Sequence, residues 1–453
     1  MSAACERPAV TRWLAERASA IRFEDLPPAA ATVARQCILD WFAVTIPGAA
    51  EPAVRILADE LLEDGAAPVA SLVGIGRKTS MLNAALINGT ASHALDFDDV
   101  NMAILGHPTV ALLPGLLALA EETGATQDDV LTAFVAGYEV ACRTGALVSP
   151  GHYDHGFHCT STVGSVGAAA ACARLLGLDA ATTATACGIA ATKASGLKSM
   201  FGTMCKPLHA GMAARNGLIA ARLAARGFTS RPDALECAQG LAATQSADFN
   251  PQAAMREAPL DFHIAANLFK YHAACYLTHG AIEAGKALRG KSGASSNAIE
   301  SISIRVPPVA DRVCNIAAPA TGLEAKFSLR LTVAMALSGR DTSGIATYTD
   351  ELAREPELVR LRDLATIEFV DGFPEAKAEV AIVVAGGAHY AAVHDAGLPD
   401  ADLQRQGRRL ERKFDALVAP IMGARAGALR EALAGFGGTS TVADIMRLAG
   451  GAT

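Results

Sequence analysis

Aromatic side chains are scarce in this sequence, making up 5% of it although 51% of the residues are hydrophobic. The core must therefore be built from aliphatic side chains and alanine, and an alanine-rich chain punctuated by glycine favours closely packed helices. The sequence also lacks an uncharged apolar run of about 18 residues and a start of signal-peptide type. We therefore predict a protein that has no membrane partner.

Paired cysteines and basic tracts are missing as well. The ten cysteines are scattered without a CxxC pair, which argues against a structural zinc site and predicts reduced thiols in a cytoplasmic protein. Lysine and arginine number 39 against 46 aspartate and glutamate residues, a net charge of -7. Without a basic patch we predict no nucleic-acid partner.

The length of 453 residues favours two domains, because a single core rarely grows so large. Helical periodicity runs to about residue 298, two-residue alternation then indicates strands, and helical patterns return near the end. We predict a mainly α protein: a large all-helical domain (residues 1–266 and 400–453) with a smaller inserted α+β domain (residues 267–399).

Individual elements follow from the same periodicities and from the residues that cap helices. Helices are predicted at residues 28–48, 52–63, 80–95, 112–123, 160–176, 208–226, 325–337, 349–361, 403–417 and 440–448. A further helix should begin at Thr126, with Asp129 completing a capping box. Strands are predicted at residues 302–306, 367–370, 380–384 and 390–393, with Gly386-Gly387 as a hairpin turn.

The stretch HALDFDDVNMAILGHP, residues 93–108, combines three carboxylates and two imidazoles within apolar surroundings. Buried charged groups lose several kcal/mol of hydration, so such a cluster indicates a site. Asp98 and Asp99 are interpreted as turn or capping carboxylates and His93 as a structural residue. Metal binding is not predicted, since the ligands are too bunched in sequence.

Two further segments carry reactive residues next to predicted helix starts, GFHCTS with His158 and CKPLH with Lys206. A third, KYHAACYLTH with Lys270, lies near the predicted domain junction. Helix starts offer unpaired N–H groups and a positive dipole end, which suit a carboxylate ligand. Histidines move protons near neutral pH. Together these residues predict a site for a small polycarboxylate that loses a proton next to a carboxyl group. His209 serves equally well as a cap or core residue.

Motifs of other enzyme classes are weak or missing. Gly74-Ile75-Gly76 and residues 164–167 are not followed by the strand–loop–helix pattern of nucleotide sites, and no GxSxG elbow is present.

Five ordered blocks resemble the MmgE/PrpD family: HALDFDDV…GHPTVALLPGLLALAE, GFHCTSTVGSVGAAAACARLLGLD, KASGLKSMFGTMCKPLHAGMAARNGLIAARL, KYHAACYLTHGAIEA and EAKFSLRLTVAMAL. The family contains 2-methylcitrate dehydratase, cis-aconitate decarboxylase and iminodisuccinate epimerase. The resemblance implies an enzyme without cofactor or metal, usually a homodimer, in which the smaller α+β domain is a lid.

The resemblance also implies an active site. Positions that match active-site residues of cis-aconitate decarboxylase are Asp96, His107, His158, Lys206 and Lys270. The sequence departs from that enzyme elsewhere: its threonine after the acidic pair is Val100, followed by Asn101, and the loop to His107 is one residue longer. A catalytic histidine is replaced by Cys275, and a tyrosine by Leu331. Because that histidine is absent, the resemblance does not by itself imply decarboxylation.

We therefore expect a hydro-lyase or carboxy-lyase that acts on a di- or tricarboxylate. Lys206 and Lys270 would bind carboxylates and stabilise charge, while His107 and His158 would transfer protons and Asp96 would orient one of them. Residues with lesser predicted roles are Cys275 as an acid/base group and Thr160 and Asn101 as substrate-binding residues. The alternatives are an epimerase of the iminodisuccinate type and a non-catalytic polycarboxylate-binding protein.

Overall fold

The computed structural model describes residues 8–63, 65–258, 260–292 and 295–450 and is mainly α-helical. Its described residues group into two compact units, one within Met1–Phe269 and Asp402–Thr453 and the other within Lys270–Ala401. The predicted mainly α class is confirmed. The predicted domain bounds and the role of the smaller domain as a lid stay predictions, since compactness alone does not show how a unit folds or moves.

The first unit is built from helices joined by short loops. In chain order these are α1 Val10–Ala20, α2 Pro28–Gly48, α3 Pro52–Glu63, α4 Met81–His93, α5 Pro108–Thr123, α6 Gln127–Val148, α7 Gly151–Asp154, α8 Cys159–Leu175, α9 Ala180–Ala191, α10 Cys205–Ala225, α11 Leu241–Gln245 and α12 Pro251–Met255.

Local sequence explains where several of these helices begin and end. The hydroxyl of Thr126 accepts the N–H of Asp129, whose carboxylate accepts the N–H of Thr126, so the predicted capping box of α6 is confirmed. Helix α5 ends at Gly124, which adopts the left-handed conformation (φ 67°) that glycine tolerates best. Its start is four residues earlier than predicted, because Pro108 is well placed at a first helical position.

Helix α8, rich in small residues, lies at the centre of the first unit as predicted, packed against α5, α6, α9 and α10. A Cβ added to Gly137 of α6 would lie 2.6 Å from the carbonyl oxygen of Gly167 in α8. A Cβ on Gly217 of α10 would lie 2.5 Å from the carbonyl carbon of Ala168. Glycine at these crossings lets the helix backbones touch, and these contacts position the residues at the helix ends.

A short antiparallel hairpin, β1 Ala70–Leu72 and β2 Arg77–Thr79, was not predicted. Its turn contains Gly74 and Gly76, both with positive φ. These glycines allow the tight turn of the hairpin. Their position in a hairpin agrees with our rejection of a nucleotide-binding motif at this place.

The second unit combines short helices with a four-stranded sheet. Its helices are α13 His279–Ser292, α14 Val309–Cys314, α15 Gly322–Ala325, α16 Leu329–Ser338, α17 Asp350–Ala353 and α18 Pro356–Asp363. Its strands are β3 Ile299–Val306, β4 Ala365–Phe369, β5 Lys377–Val384 and β6 Ala388–Asp395, in the order β4-β3-β5-β6. Strands β3 and β4 are parallel and the other neighbours antiparallel, which confirms all four predicted strands and the glycine hairpin.

Two helix predictions in this unit are wrong in detail, because each region contains two short helices. Ser328 caps the second helix of the first region by accepting the N–H of Leu331. In the other region Pro356 opens a new helix, since proline fits a first helical turn but not a helix interior.

The chain after residue 401 belongs to the first unit and forms α19 Leu403–Met422, α20 Arg425–Ala434 and α21 Ala443–Ala449. Helix α20 was not predicted. In α19, Lys413 is buried, lies 2.6 Å from a carboxylate oxygen of Asp40 in α2, and donates a hydrogen bond to the carbonyl of Phe97 at 2.7 Å.

Helix α2 is long and apolar enough to cross a membrane by composition, and it is the one such helix among the described residues. Of its most apolar window, 83% is buried inside the protein. A mostly buried core helix passes the same compositional test, so this is weak evidence for a membrane span.

Candidate active site

The loop between α4 and α5 brings five titratable side chains to one place. His93 is the last residue of α4 and His107 directly precedes α5, with Asp96, Asp98 and Asp99 between them. Asp96 has a left-handed backbone (φ 49°), which is uncommon and strained for a residue with a side chain. Strain of this kind is often retained at functional sites.

Asp98 joins the two imidazoles of the loop. Its carboxylate lies 3.0 Å from Nδ1 of His93 and 3.1 Å from Nδ1 of His107. Nδ1 of His107 also lies 2.7 Å from the carbonyl oxygen of Asp99. Because all of these partners are acceptors, we assign the proton to Nδ1 in both rings, which leaves Nε2 of His107 as the acceptor nitrogen.

Burial and neighbouring charges set the protonation of this group. Burial lowers the pKa of His93 to about 4 despite the adjacent carboxylate. Burial alone would raise the pKa of Asp98, but His93 and His107 hold it well below its usual range. At neutral pH, therefore, Asp98 carries a negative charge and His93 is neutral.

Asp99 has the opposite character. Its side chain is 1% exposed and accepts a short hydrogen bond from the hydroxyl of Thr109. Burial raises its pKa to about 7. The interpretation of Asp98 and Asp99 as turn or capping carboxylates is therefore corrected. Both lie in the loop as expected and are buried, but the Asp98 carboxylate contacts the two imidazoles and the Asp99 carboxylate is bonded to Thr109.

His158 directly precedes α8, as predicted, and is 2% exposed. Its ring stacks on His93 with centroids 5.8 Å apart and meets the ring of Phe201 edge-on at 4.9 Å. Nδ1 of His158 lies 3.1 Å from Nδ1 of His209. Burial, reinforced by the neighbouring imidazoles and by the ammonium of Lys206, holds the pKa of His158 far below its usual range, so the ring is neutral.

Lys206, the second residue of α10, supplies the positive charge of the group. Its ammonium lies 2.9 Å from an oxygen of Asp96, whereas Nε2 of His107 is 4.0 Å from the same oxygen. The Asp96 side chain is 57% exposed and that of Lys206 17%. We predicted that Asp96 orients a histidine. In the structure Asp98 is the carboxylate that contacts Nδ1 of His107, and Asp96 forms an ion pair with Lys206.

The same group offers four metal-ligand atoms. One atom each of His93, Asp96, Asp98 and His107 lies within 4.8 Å of the others, a set that could hold a metal ion. The ammonium of Lys206 already contacts Asp96, and a divalent cation beside it would meet like-charge repulsion. The donor atoms are of types that bind metals. However, the ammonium of Lys206 already balances the negative charge of Asp96, which a metal ion would otherwise balance.

Two residues predicted to bind substrate have other partners. Thr160 is fully buried, and its hydroxyl accepts the N–H of His107 at 3.1 Å. The amide of Asn101 donates to the hydroxyl of Tyr138 and to the carbonyl of His263, and its oxygen accepts the N–H of Ala103. In this structure both residues hold the loop in place.

Two other predicted residues, Lys270 and Cys275, belong to the second unit. Lys270 is 4% exposed, and its charge is one of the causes, after burial, that keep the pKa of His279 well below its usual range. The N–H of Cys275 donates to the carbonyl of Lys326 at 2.9 Å. Leu331, which replaces the family's tyrosine, is fully buried in α16. The catalytic roles of Lys270 and Cys275 stay predictions.

Comparison with known proteins identifies the family. The profile of the MmgE/PrpD N-terminal domain matches residues 12–254, and that of the C-terminal domain matches residues 272–434. The chain belongs to the MmgE/PrpD family. It is similar to cis-aconitate decarboxylases of Aspergillus terreus (30% identical over 62% of this chain and 60% of the relative) and of Homo sapiens (30% over 63% and 61%). A cis-aconitate decarboxylase-like protein of Aspergillus oryzae is 32% identical over 48% of this chain and 47% of the relative.

The aligned part thus spans about 60% or less of the length of these relatives. The two profiles show membership of the MmgE/PrpD family. The reaction that this chain catalyses is proposed below.

Three residues that this MmgE/PrpD protein brings into the site were not predicted to be functional: His93, Asp98 and His209. For His209 a signal was available, because it follows Lys206 by three residues and therefore lies on the same face of α10. For His93 and Asp98 the five-residue spacing spans a helix end and a loop, where sequence gives no fixed direction for a side chain.

Proposed function

We propose that this protein is a lyase that moves a proton at a carbon next to a carboxylate of a small di- or tricarboxylic acid. The observation that carries the proposal is one group of side chains in the first unit. A lysine ammonium, a neutral buried histidine and a carboxylate-bound histidine lie together there. The relatives named cis-aconitate decarboxylase support the same class of reaction.

Lys206 is suited to bind a substrate carboxylate. Its present partner, Asp96, is more than half exposed, and an exposed ion pair is stabilised by only about 0–1 kcal/mol. A substrate carboxylate can therefore replace Asp96 at little cost. The strained backbone of Asp96 fits a residue whose position serves the site rather than the stability of the loop.

Proton transfer next to a carboxylate needs a base and a cation. Removing the proton leaves negative charge on the carboxylate, and a fixed cation commonly stabilises such charge by several kcal/mol. We assign this role to Lys206. The transferring atoms are Nε2 of His107 and Nε2 of His158, because the Nδ1 atoms of both rings are already bonded.

We also propose that the reaction needs neither metal nor cofactor, because Lys206 supplies the positive charge at Asp96 that a metal would otherwise provide. A homodimer in the cytoplasm is the expected form of the enzyme, and size-exclusion chromatography with light scattering tests the dimer. Single substitutions of Lys270 and Cys275 test their predicted roles.

Incubation with a panel of acids in D₂O, followed by NMR, tests the function. The panel contains cis-aconitate, 2-methylcitrate, a citramalate-type acid and iminodisuccinate. Loss of CO₂ would show a decarboxylase, and a new alkene without CO₂ a dehydratase. The His155→Asn variant, an exposed histidine near His158, should match the wild type.

Epimerisation is the second candidate, because the site contains two separate imidazoles, those of His107 and His158. The ring of His93 contacts both of them. An epimerase needs two acid/base groups, one for each face of the carbon. Deuterium incorporation without net conversion would indicate this reaction. If no acid in the panel exchanges or reacts, while polycarboxylates still stabilise the protein, a non-catalytic binding protein is the better interpretation.

A further inference from the structure

His209 connects the buried His158 to the outer part of the site. The two Nδ1 atoms are 3.1 Å apart, and the carbonyl of His209 accepts the hydroxyl of Ser161 at 3.0 Å. A hydrogen bond between two Nδ1 atoms needs one proton, so one ring donates while the other accepts. The tautomer of His158 is therefore tied to that of His209.

The two rings differ in their access to solvent. His158 is 2% exposed, whereas His209, the fifth residue of α10, is partly exposed. His93, His107 and Lys206 face His158 together with His209. A second positive charge in such surroundings is costly, and burial and these neighbours hold the pKa of His158 far below its usual range.

Because His158 is buried, an imidazolium with an added proton is unfavourable there. A proton that arrives at Nε2 is therefore best matched by one that leaves at Nδ1. Among the described residues, the hydrogen-bond partner of Nδ1 is His209. Burial also lowers the pKa of His209, which favours onward transfer from that ring over storage of the proton there.

We propose that His209 is a proton relay that acts through His158 and exchanges its proton with water. Nε2 of His158 accepts a proton, its Nδ1–H passes to Nδ1 of His209, and the Nε2–H of His209 passes to water. Each ring forms one N–H bond and breaks one, so both remain neutral. Reprotonation runs the same steps backwards. The use of this relay in turnover rests on the proposed function, but the relay itself does not.

Histidine ¹⁵N NMR without substrate tests the relay directly. In the wild type, one of the two Nδ1 atoms should be protonated and the other bare, with His158 exchanging between its two tautomers. In His209→Asn the side-chain amide keeps a bonding partner near Nδ1 but cannot pass a proton on. We expect His158 to be fixed in one tautomer in that variant and unchanged in the His155→Asn control. Tautomer exchange that is unaltered in His209→Asn would overturn the relay.

Turnover gives the second readout once a substrate is found. His209→Asn should lower kcat by about 100-fold or more, within the range for loss of a proton-transfer group, with little change in KM. Added imidazole should partly restore His209→Ala, because the missing ring is partly exposed in the wild type. A fully active His209→Asn variant would show that His209 only orients His158. A wild type that is inactive on every acid would refute the proposed function and leave the NMR result to decide the relay.

Discussion

The buried carboxyl group of Asp99 should lower the free energy of unfolding as the pH rises towards neutrality. Burial raises its pKa from 3.8 to about 7, so between these values the native protein holds a proton that the unfolded chain releases. The contribution of Asp99 is therefore fully present below about pH 4 and is lost as the pH rises towards 7. The difference between a pKa of 3.8 and one of about 7 corresponds to about 4 kcal/mol in the free energy of unfolding, of which about 2.5 kcal/mol is lost between pH 5 and pH 8.

The Asp99→Asn variant isolates this contribution. An asparagine keeps the shape of the side chain and an acceptor for Thr109, but it cannot ionise. Urea unfolding of both proteins at pH 5 and pH 8 measures the free energy of unfolding. The value for the variant minus that for the wild type should rise by about 2.5 kcal/mol from pH 5 to pH 8.

Other titrating groups are common to both proteins and cancel in this difference, as does any constant cost of the substitution. Asp154→Asn, at an exposed aspartate, is the matched control and should show a much smaller dependence. An equal difference between Asp99→Asn and the wild type at both pH values would show that Asp99 is ionised in the folded protein and would refute the reasoning.

Three further predictions concern the site and its support. Asp98→Asn should lower kcat by about 10²–10⁴-fold, because His93 and His107 lose the carboxylate that fixes their tautomers; an active variant would remove Asp98 from the mechanism. Lys206→Ala should weaken polycarboxylate binding by about 10- to 100-fold, visible as a lost thermal shift, whereas dialysis against EDTA should leave activity unchanged; recovery of activity only on adding a metal would contradict the lysine's role. Gly137→Ala should cost about 1–3 kcal/mol in stability, measured by urea unfolding, because the added Cβ meets backbone of α8.

Elements with a strong local signal were predictable from sequence. The capping box at Thr126, the glycine that ends α5 and the alternation that marks β5 all depend on residues close in sequence. The central place of α8 followed from its small side chains, because only such residues let helices approach closely. The breaks inside predicted helices were missed where apolar periodicity continued across a proline or a capping serine.

The site was predicted in part, and the limit has a physical reason. The structure brings together Asp96, His107, His158 and Lys206, four of the positions that the resemblance to the family implied; only His107, His158 and Lys206 also stand next to helix starts. The partner of each side chain was not predictable, since it depends on how loops and helix ends meet in space. Asp98, not Asp96, therefore bonds the imidazoles.

The central claim is that the His158 ring moves a proton at the carbon beside a carboxylate bound by Lys206. The most direct measurement is deuterium incorporation at that carbon, followed by NMR in D₂O, for the wild type and His158→Ala. We predict incorporation by the wild type and none by the variant, which should still be stabilised by the same acid in a thermal shift assay. Incorporation by His158→Ala at the wild-type rate would contradict the claim.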